Sequence, residues 1–180
     1  MEKQVSKDQK SDEITKLSFE SYEGRCVIPR SKADTLTQIH IERGFGGENI
    51  GIDNEFFTNQ AKRNYREIIL TIEGSKSGVV MGYLVGQFQT RNNSAYIREI
   101  AVDKSSSNKG LGTSLIKKYE SIAKKKGKER CFGYTRGERL CKFYKKLGYT
   151  LEEDVIDPVI TDSESDQNLE EPFILFEKDL

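Results

Sequence analysis

The segment Glu99–Glu120, EIAVDKSSSNKGLGTSLIKKYE, decides the fold predicted for this 180-residue chain. Its first residues read as the end of a β-strand, and its last residues carry apolar side chains at helical spacing. A short polar turn that ends in Gly-Leu-Gly joins the two parts. The segment therefore predicts a strand that passes through a turn directly into a helix.

The turn of this segment predicts a binding site for an anion. The first backbone N–H groups of a helix have no partner within the helix, and the helix dipole adds positive potential there. Gly110 and Gly112 carry no Cβ, so a phosphate or diphosphate can approach the backbone closely. The spacing fits neither a Walker A loop nor a dinucleotide fingerprint. A glycine turn at an ordinary helix start is the alternative.

The residues before the segment predict several strands and two helices. Ser31 is expected to cap a helix over Ser31–Ile41, and Asp53 a second helix that carries Phe56, Phe57, Ala61 and Tyr65. The glycine-rich stretch Gly44–Gly51 predicts a loop. β-Branched and aromatic runs predict the strands Ile14–Glu20, Arg25–Pro29, Glu67–Glu73, Val79–Gln89 and Ala95–Val102.

After the turn, helices and strands alternate. The helical stripe there consists of Leu111, Leu115, Ile116, Tyr119, Ile122 and Ala123. Arg130–Thr135 predicts a strand, and Leu140–Leu147 a shorter helix. Tyr149–Leu151 and Phe173–Phe176 predict the last strands. A strand, a helix and a further strand after a meander predict a mixed sheet with one parallel pair built by a crossover.

Composition limits the class of function. The formal net charge is zero, but Lys117–Lys146 carries a net +9 and Glu152–Glu171 a net −9. The overall balance argues against a general nucleic-acid binder. Three cysteines at unrelated spacings and a lone His40 indicate no metal cluster and no Ser-His catalysis, so His40 is expected to be structural. No long apolar run occurs, which predicts a soluble protein of a reducing compartment, the cytoplasm.

Two linked patterns resemble the GNAT superfamily of acyl-CoA-dependent N-acetyltransferases. Ser107–Gly112, SNKGLG, matches the family signature Arg/Gln-x-x-Gly-x-Gly/Ala, except that Ser107 replaces Arg or Gln. Leu140–Tyr149, LCKFYKKLGY, matches the later motif of an aromatic pair before a glycine and a further aromatic. The Asn that many members carry before that pair is absent, and Gly137 stands there. The resemblance covers about residues 67–180.

The resemblance implies the fold class and the co-substrate. The fold is α/β, a central mixed, mostly antiparallel twisted sheet of six to seven strands with about four helices. One domain is expected over residues 14–180, after a disordered polar tail at 1–13 and with an acidic loop at 152–171. Acetyl-CoA is the implied co-substrate, without a metal, and the oligomeric state, including a homodimer, stays open.

The resemblance also implies residue roles. Tyr144 is the expected general acid, since a phenol and a thiol have similar pKa values. Glu99 is the candidate base, placed by alternation on the face of Ile97 and Ala101 and opposite Ile100 and Val102; an ion pair with Arg98 or a lysine is the alternative. Ile100, Ala101 and Val102 are expected to pair with the pantetheine arm. The diphosphate is expected at Ser107, Asn108, Lys109, Gly110, Leu111, Gly112 and Thr113.

The acceptor is expected to be an amine. Acceptors of the family usually sit between the first two helices and the final strands, so the acidic segment suggests a cationic small molecule or peptide; a flexible solvated loop is the alternative and the more common explanation of such a charge run. Phe56, Phe57 and Tyr65 are candidates for the cleft wall or for the core. Two other functions stay open, a catalytically weak acyl-CoA sensor and an acetyltransferase that acts on charged tRNA.

Overall fold

The computed structural model describes residues 17–43, 55–74, 77–90, 92–152 and 173–180. Its core is one seven-stranded sheet in the order β1-β2-β3-β4-β5-β7-β6. The strands are β1 (Leu17–Glu23), β2 (Glu67–Gly74), β3 (Val80–Phe88), β4 (Ser94–Val102), β5 (Arg130–Thr135), β6 (Thr150–Glu152) and β7 (Ile174–Asp179). The helices are α1 (Arg30–Glu42), α2 (Leu111–Lys125) and α3 (Glu138–Lys146), with 3-10 turns at Gln60–Lys62 and Lys104–Ser106.

The predicted mixed sheet with one parallel pair is confirmed. β4 and β5 run parallel, and every other neighbouring pair is antiparallel. α2 is the crossover between the parallel strands, because β5 has to begin at the same end of the sheet as β4 and α2 carries the chain back to that end. The strand-to-helix segment of the sequence is thus the link between the two halves of the sheet.

Helices cover both faces of the sheet. One face, called here the α2 face, packs on α2 and α3, and the predicted stripe of α2 is buried there except for the half-buried Ile122. The other face, called the α1 face, packs on α1 through Ala33, Leu36 and Ile39. The sheet is therefore buried between two apolar layers, as expected for an α/β domain.

Three local predictions before β2 are wrong. Residues 25–29 form no strand, and α1 begins at Arg30 with Pro29, rather than Ser31, at the cap position. A proline there loses no helical hydrogen bond, since the first N–H groups of a helix have no internal acceptor. The helix expected around Phe56 is a turn followed by the 3-10 turn, because the Asn59 side chain accepts a hydrogen bond from the Ala61 N–H and diverts the backbone.

Several expectations lie outside the described residues. These are the polar tail, the loop Gly44–Gly51, the capping Asp53, and all of the acidic segment except Glu152. Within the described ranges there are three α-helices, one fewer than expected.

Gly133 allows β5 to lie close to its neighbours, and its replacement should destabilise the fold. A Cβ at Gly133 would lie 2.4 Å from Cζ of Phe176 and 2.7 Å from the backbone oxygen of Ile97. The backbone oxygen cannot move without disturbing the β4–β5 ladder. We expect Gly133→Ala to lower the free energy of unfolding by about 1–3 kcal/mol in urea denaturation.

Gly112→Ala is the matched control, because a Cβ there would lie 3.5 Å from the Phe143 ring and 4.0 Å from Cδ1 of Ile100, both ordinary contacts. Alanine also favours a helix over glycine, so this variant should keep or gain stability. Equal unfolding midpoints for the two variants would contradict the close approach seen at Gly133.

Candidate active site

A gap opens between β4 and β5. Their parallel ladder pairs Ser94–Ile97 with Arg130–Gly133. β4 continues to Val102 and β5 to Thr135, but no further pair joins the two strands within the described residues. The middle of the sheet therefore contains a length of unpaired strand edge.

Alternation shows which backbone groups of β4 face this gap. The Asp103 N–H donates to the Met81 oxygen at 2.8 Å, so the backbone groups of Ala101 and Glu99 also point toward β3. Those of Ile100 and Val102 point the other way, toward β5. Of the three residues predicted to pair with pantetheine, two thus present N–H and C=O groups to the gap, while those of Ala101 are directed to β3.

A β-bulge at Arg98 determines where the Glu99 side chain lies. Val85 pairs with Glu99 and Gly86 with Ile97, so Arg98 is an extra residue on β4. Because of this extra residue, the side chains of β4 after Arg98 point to the opposite faces from those that an uninterrupted strand would give them. Ile97 lies on the α2 face, and Glu99 lies on the α1 face against His40. The expectation that Glu99 and Ile97 share a face is therefore wrong, and so is the expectation that Ile100 and Val102 lie opposite Ile97, since both pack on the α2 face with it.

Glu99 is buried in a polar network on the α1 face. Its Oε1 lies 2.8 Å from Nδ1 of His40 and accepts a hydrogen bond from the Tyr83 hydroxyl. Burial, together with the Glu99 charge, raises the pKa of Tyr83 well above its usual range, so the phenol stays a donor. Arg98 bonds Glu67 at 2.6 Å, and Glu99 makes no ion pair with it.

His40 is the site residue whose role the sequence did not show. It was expected to be structural, and it lies on the buried stripe of α1 beside Leu36 and Ile39. A buried imidazole needs a polar partner. That requirement was the available signal, but the partner, Glu99, is 59 residues away in the sequence.

The turn before α2 has the geometry of an anion site. Gly110 occupies the N-cap position with φ 78°, a left-handed conformation that favours glycine. No side chain caps the helix, and a Cβ at Gly110 would meet nothing within 4 Å. The first N–H groups of α2, those of Leu111, Gly112 and Thr113, have no hydrogen-bond acceptor among the described residues. The predicted turn residues Ser107–Thr113 are contiguous around this opening.

Two basic elements flank the turn. Arg43, at the end of α1, donates from Nε to the Val102 oxygen at 2.6 Å and from Nη2 to Oγ of Ser107 at 2.5 Å. On the other side, a surface pocket between α2 and α3 begins at the turn residue Thr113. It is lined by Thr113, Lys117, Glu120, Lys146, Leu147 and Lys178. No pattern in the sequence indicated a role for Arg43.

Tyr144 lies on the α2 face, opposite Glu99. It is buried in α3, and its ring stacks on Phe176 with 3.7 Å between centroids. Burial raises the pKa of Tyr144 above its usual range, so its hydroxyl stays protonated at neutral pH. Gly137, where the family pattern has Asn, caps α3 with φ 77°. The two predicted catalytic side chains are thus on opposite faces of the sheet.

Of the three aromatic residues that were candidates for the cleft wall or for the core, two are in the core. Phe56 and Phe57 are buried in the core under α1, and Tyr65 is exposed beside Arg66. A different cluster of half-buried rings lies on the α1 face, where the β4–β5 ladder ends: Tyr96, Phe132 and Tyr134.

Two features are absent from the part of the chain that the structure describes. No group of three or more His, Cys, Asp or Glu side chains is placed to hold a metal ion. No described helix has the length and apolar character needed to cross a membrane.

Solved structures with this architecture include several acetyltransferases. A GNAT-family protein from Desulfovibrio desulfuricans aligns with a TM-score of 0.70 at 16% identity, over 91% of this chain and 99% of that one. The PaiA N-acetyltransferase from Thermoplasma acidophilum, in complex with coenzyme A, gives 0.63 at 18%, over 91% and 99%. An aminoglycoside 6'-N-acetyltransferase complexed with coenzyme A gives 0.68 at 13%, over 90% and 96%. At these identities the likeness shows the fold.

Sequence comparison identifies the family. No curated protein matches the chain. The family model described as the acetyltransferase (GNAT) family matches residues 34–149, which is more than half of the chain and includes most of α1, the turn and α3. The model thus spans both patterns from which the resemblance was drawn, and the chain belongs to the GNAT family of acetyltransferases.

Proposed function

We propose that this protein transfers an acetyl group from acetyl-CoA to the primary amine of a cationic small molecule or peptide. The observation that carries the proposal is the gap between β4 and β5, whose unpaired edge leads directly to the uncapped start of α2. The PaiA and aminoglycoside acetyltransferases with this fold were solved with coenzyme A, which supports the choice of co-substrate.

Both ends of acetyl-CoA fit described features. The pantetheine arm contains amide groups, so it can pair with Ile100 and Val102 as an added strand would. The diphosphate can accept hydrogen bonds from the N–H groups of Leu111, Gly112 and Thr113. The lysine side chains that line the pocket between α2 and α3 can attract the phosphate at the nucleotide end. These contacts hold the thioester along β4.

The reaction needs two proton transfers. The neutral amine nitrogen attacks the carbonyl carbon, a C–N bond forms, and the C–S bond breaks with its electron pair leaving on sulfur. An N–H group of Ile100 or Val102 can polarise the carbonyl oxygen. The amine proton goes to a base, and the thiolate takes a proton from an acid. We assign these roles to Glu99 and Tyr144.

The surroundings of each residue support its role. Burial raises the pKa of Tyr144, which makes the phenol a weaker acid, but its hydroxyl has no hydrogen-bond partner in the described part of the chain and can donate to the thiolate. Glu99 accepts from Tyr83 and lies against His40, so donors hold its carboxyl group in place. The acid and the base lie on opposite faces of one sheet, and the gap between β4 and β5 is in that sheet.

The α1 face suits a cationic acceptor. The carboxyl group of Glu99 supplies an acceptor, and the rings of Tyr96, Phe132 and Tyr134 can contact a cation through their faces. The acidic segment at 152–171 adds negative charge close in sequence to β6 and β7. A polyamine, an aminoglycoside or a lysine-rich peptide has the required chemistry.

Purified protein mixed with acetyl-CoA and a panel of such amines tests the proposal. We expect thiol release that depends on the amine, and one added acetyl group on the product by mass spectrometry. Neutral and anionic amines serve as controls and should react more slowly. Binding of coenzyme A without any acetylated product would contradict the proposal and favour the sensor alternative.

Tyr144→Phe should lower kcat by about a hundredfold or more, since general acid catalysis is of this size. The phenyl ring can still stack on Phe176, so the Kd for coenzyme A should be unchanged. Tyr149→Phe is the matched control, because Tyr149 is buried in the same ring cluster. Stopped assays of both variants measure this, and equal kcat losses would contradict a specific role of Tyr144.

Glu99→Gln should change the pH dependence of the reaction. The amide keeps the size of the side chain but cannot take a proton, so kcat/KM should fall about a hundredfold where the amine is protonated. The defect should shrink as pH approaches the pKa of the amine, because neutral amine then becomes abundant. Glu67→Gln, another buried acid on the α1 face, is the control. A pH profile parallel to that of the wild type would exclude Glu99 as the base.

A further inference from the structure

Arg43 reaches the proposed diphosphate site from another part of the fold. It follows the last residue of α1, and its N–H donates to the Ile39 oxygen, which fixes its backbone at the helix end. Its side chain crosses to the end of β4 and to the turn before α2, where it donates to Val102 and Ser107. Two separate acceptors thus hold the guanidinium group beside the turn.

The guanidinium group retains unused donors. Arginine has five N–H donors, and two of them are used by these contacts. Within the described residues, the side chain of Arg43 forms no ion pair with a carboxylate and no hydrogen bond besides these two. The half-buried positive charge therefore lies uncompensated next to a helix start that is itself positive. Both features favour an anion between them.

The side chain of Arg43 also contacts Ser107, the residue at which the sequence departs from the family signature. The signature has Arg or Gln at the residue that is Ser107 here, and a serine side chain is too short to replace either. The hydroxyl of Ser107 instead accepts from Nη2 of Arg43. A guanidinium group is thus present at the turn, supplied by α1.

We infer that Arg43 binds the diphosphate of coenzyme A and replaces the long side chain that is missing at Ser107. The inference rests on the proposed function. Guanidinium groups bind phosphate oxygens through paired, charge-assisted hydrogen bonds, and Arg43 is held in place before binding. Because Nε of Arg43 also bonds Val102, the same residue links the turn to the strand edge that receives pantetheine.

Isothermal titration calorimetry of Arg43→Gln tests the inference. We expect the affinity for coenzyme A to fall about tenfold to a hundredfold, the usual size for lost charge-assisted hydrogen bonds. The affinity for 3'-dephospho-coenzyme A should fall by the same factor, since it keeps the diphosphate. The affinity for pantetheine, which has none, should not change. Arg30→Gln, at the exposed other end of α1, is the matched control and should bind like the wild type.

A double variant separates direct binding from a structural role. Adding Ser107→Arg to Arg43→Gln should restore most of the affinity, because it returns a guanidinium group to the family position. Three results for Arg43→Gln would each overturn the inference. The first is an unchanged affinity for coenzyme A, and the second is an equal loss of affinity for coenzyme A and pantetheine. The third is a loss of affinity for coenzyme A without a loss for 3'-dephospho-coenzyme A. Wild-type protein that binds no coenzyme A would instead overturn the proposed function, so the two failures are distinguishable.

Discussion

Beyond the pair of Ile97 and Gly133, strands β4 and β5 separate although both continue. Backbone N–H and C=O groups in the middle of a sheet normally pair with the neighbouring strand, and unpaired buried groups are costly. The N–H and C=O of Ile100 and the N–H of Val102 are therefore available to a ligand that imitates a strand, while the Val102 oxygen already accepts from Nε of Arg43. The site depends on this separation, because the turn and both candidate catalytic residues are arranged around it.

The bulge at Arg98 and the gap are adjacent on β4. The extra residue directs Arg98 and Glu99 to the same face, where an uninterrupted strand would place them on opposite faces. A carboxyl group thereby reaches the α1 face next to the start of the gap. The two irregular features of β4, the bulge and the gap, thus lie next to the carboxyl group proposed as the base.

Buried acids on the α1 face are each matched by a partner. Glu67 pairs with Arg98 at 2.6 Å, and Glu73 with Lys32 at 2.8 Å. Glu99 differs, since its partners are His40 and the neutral phenol of Tyr83. Pairing compensates the desolvation of the first two carboxylates, so they are structural. The partners of Glu99 hold it without a permanent cation, which is compatible with proton uptake.

The sequence by itself determined the strand-turn-helix segment, the meander, the parallel pair and the two family patterns. These features rest on local spacing, on glycine at the helix start and on the apolar stripe of α2, all of which are read along the chain. The start of α1 and the 3-10 turn near Phe56 were missed because a proline and an Asn side chain altered the backbone locally.

Only the tertiary structure decided the bulge at Arg98, the partner of His40 and the position of Arg43. A bulge depends on the register between two strands, which the alternation within one strand does not reveal. His40 meets Glu99 across 59 residues, and Arg43 meets Ser107 across 64. Contacts between such distant residues follow from how α1 packs on the sheet, and side-chain spacing along the chain contains no record of that packing.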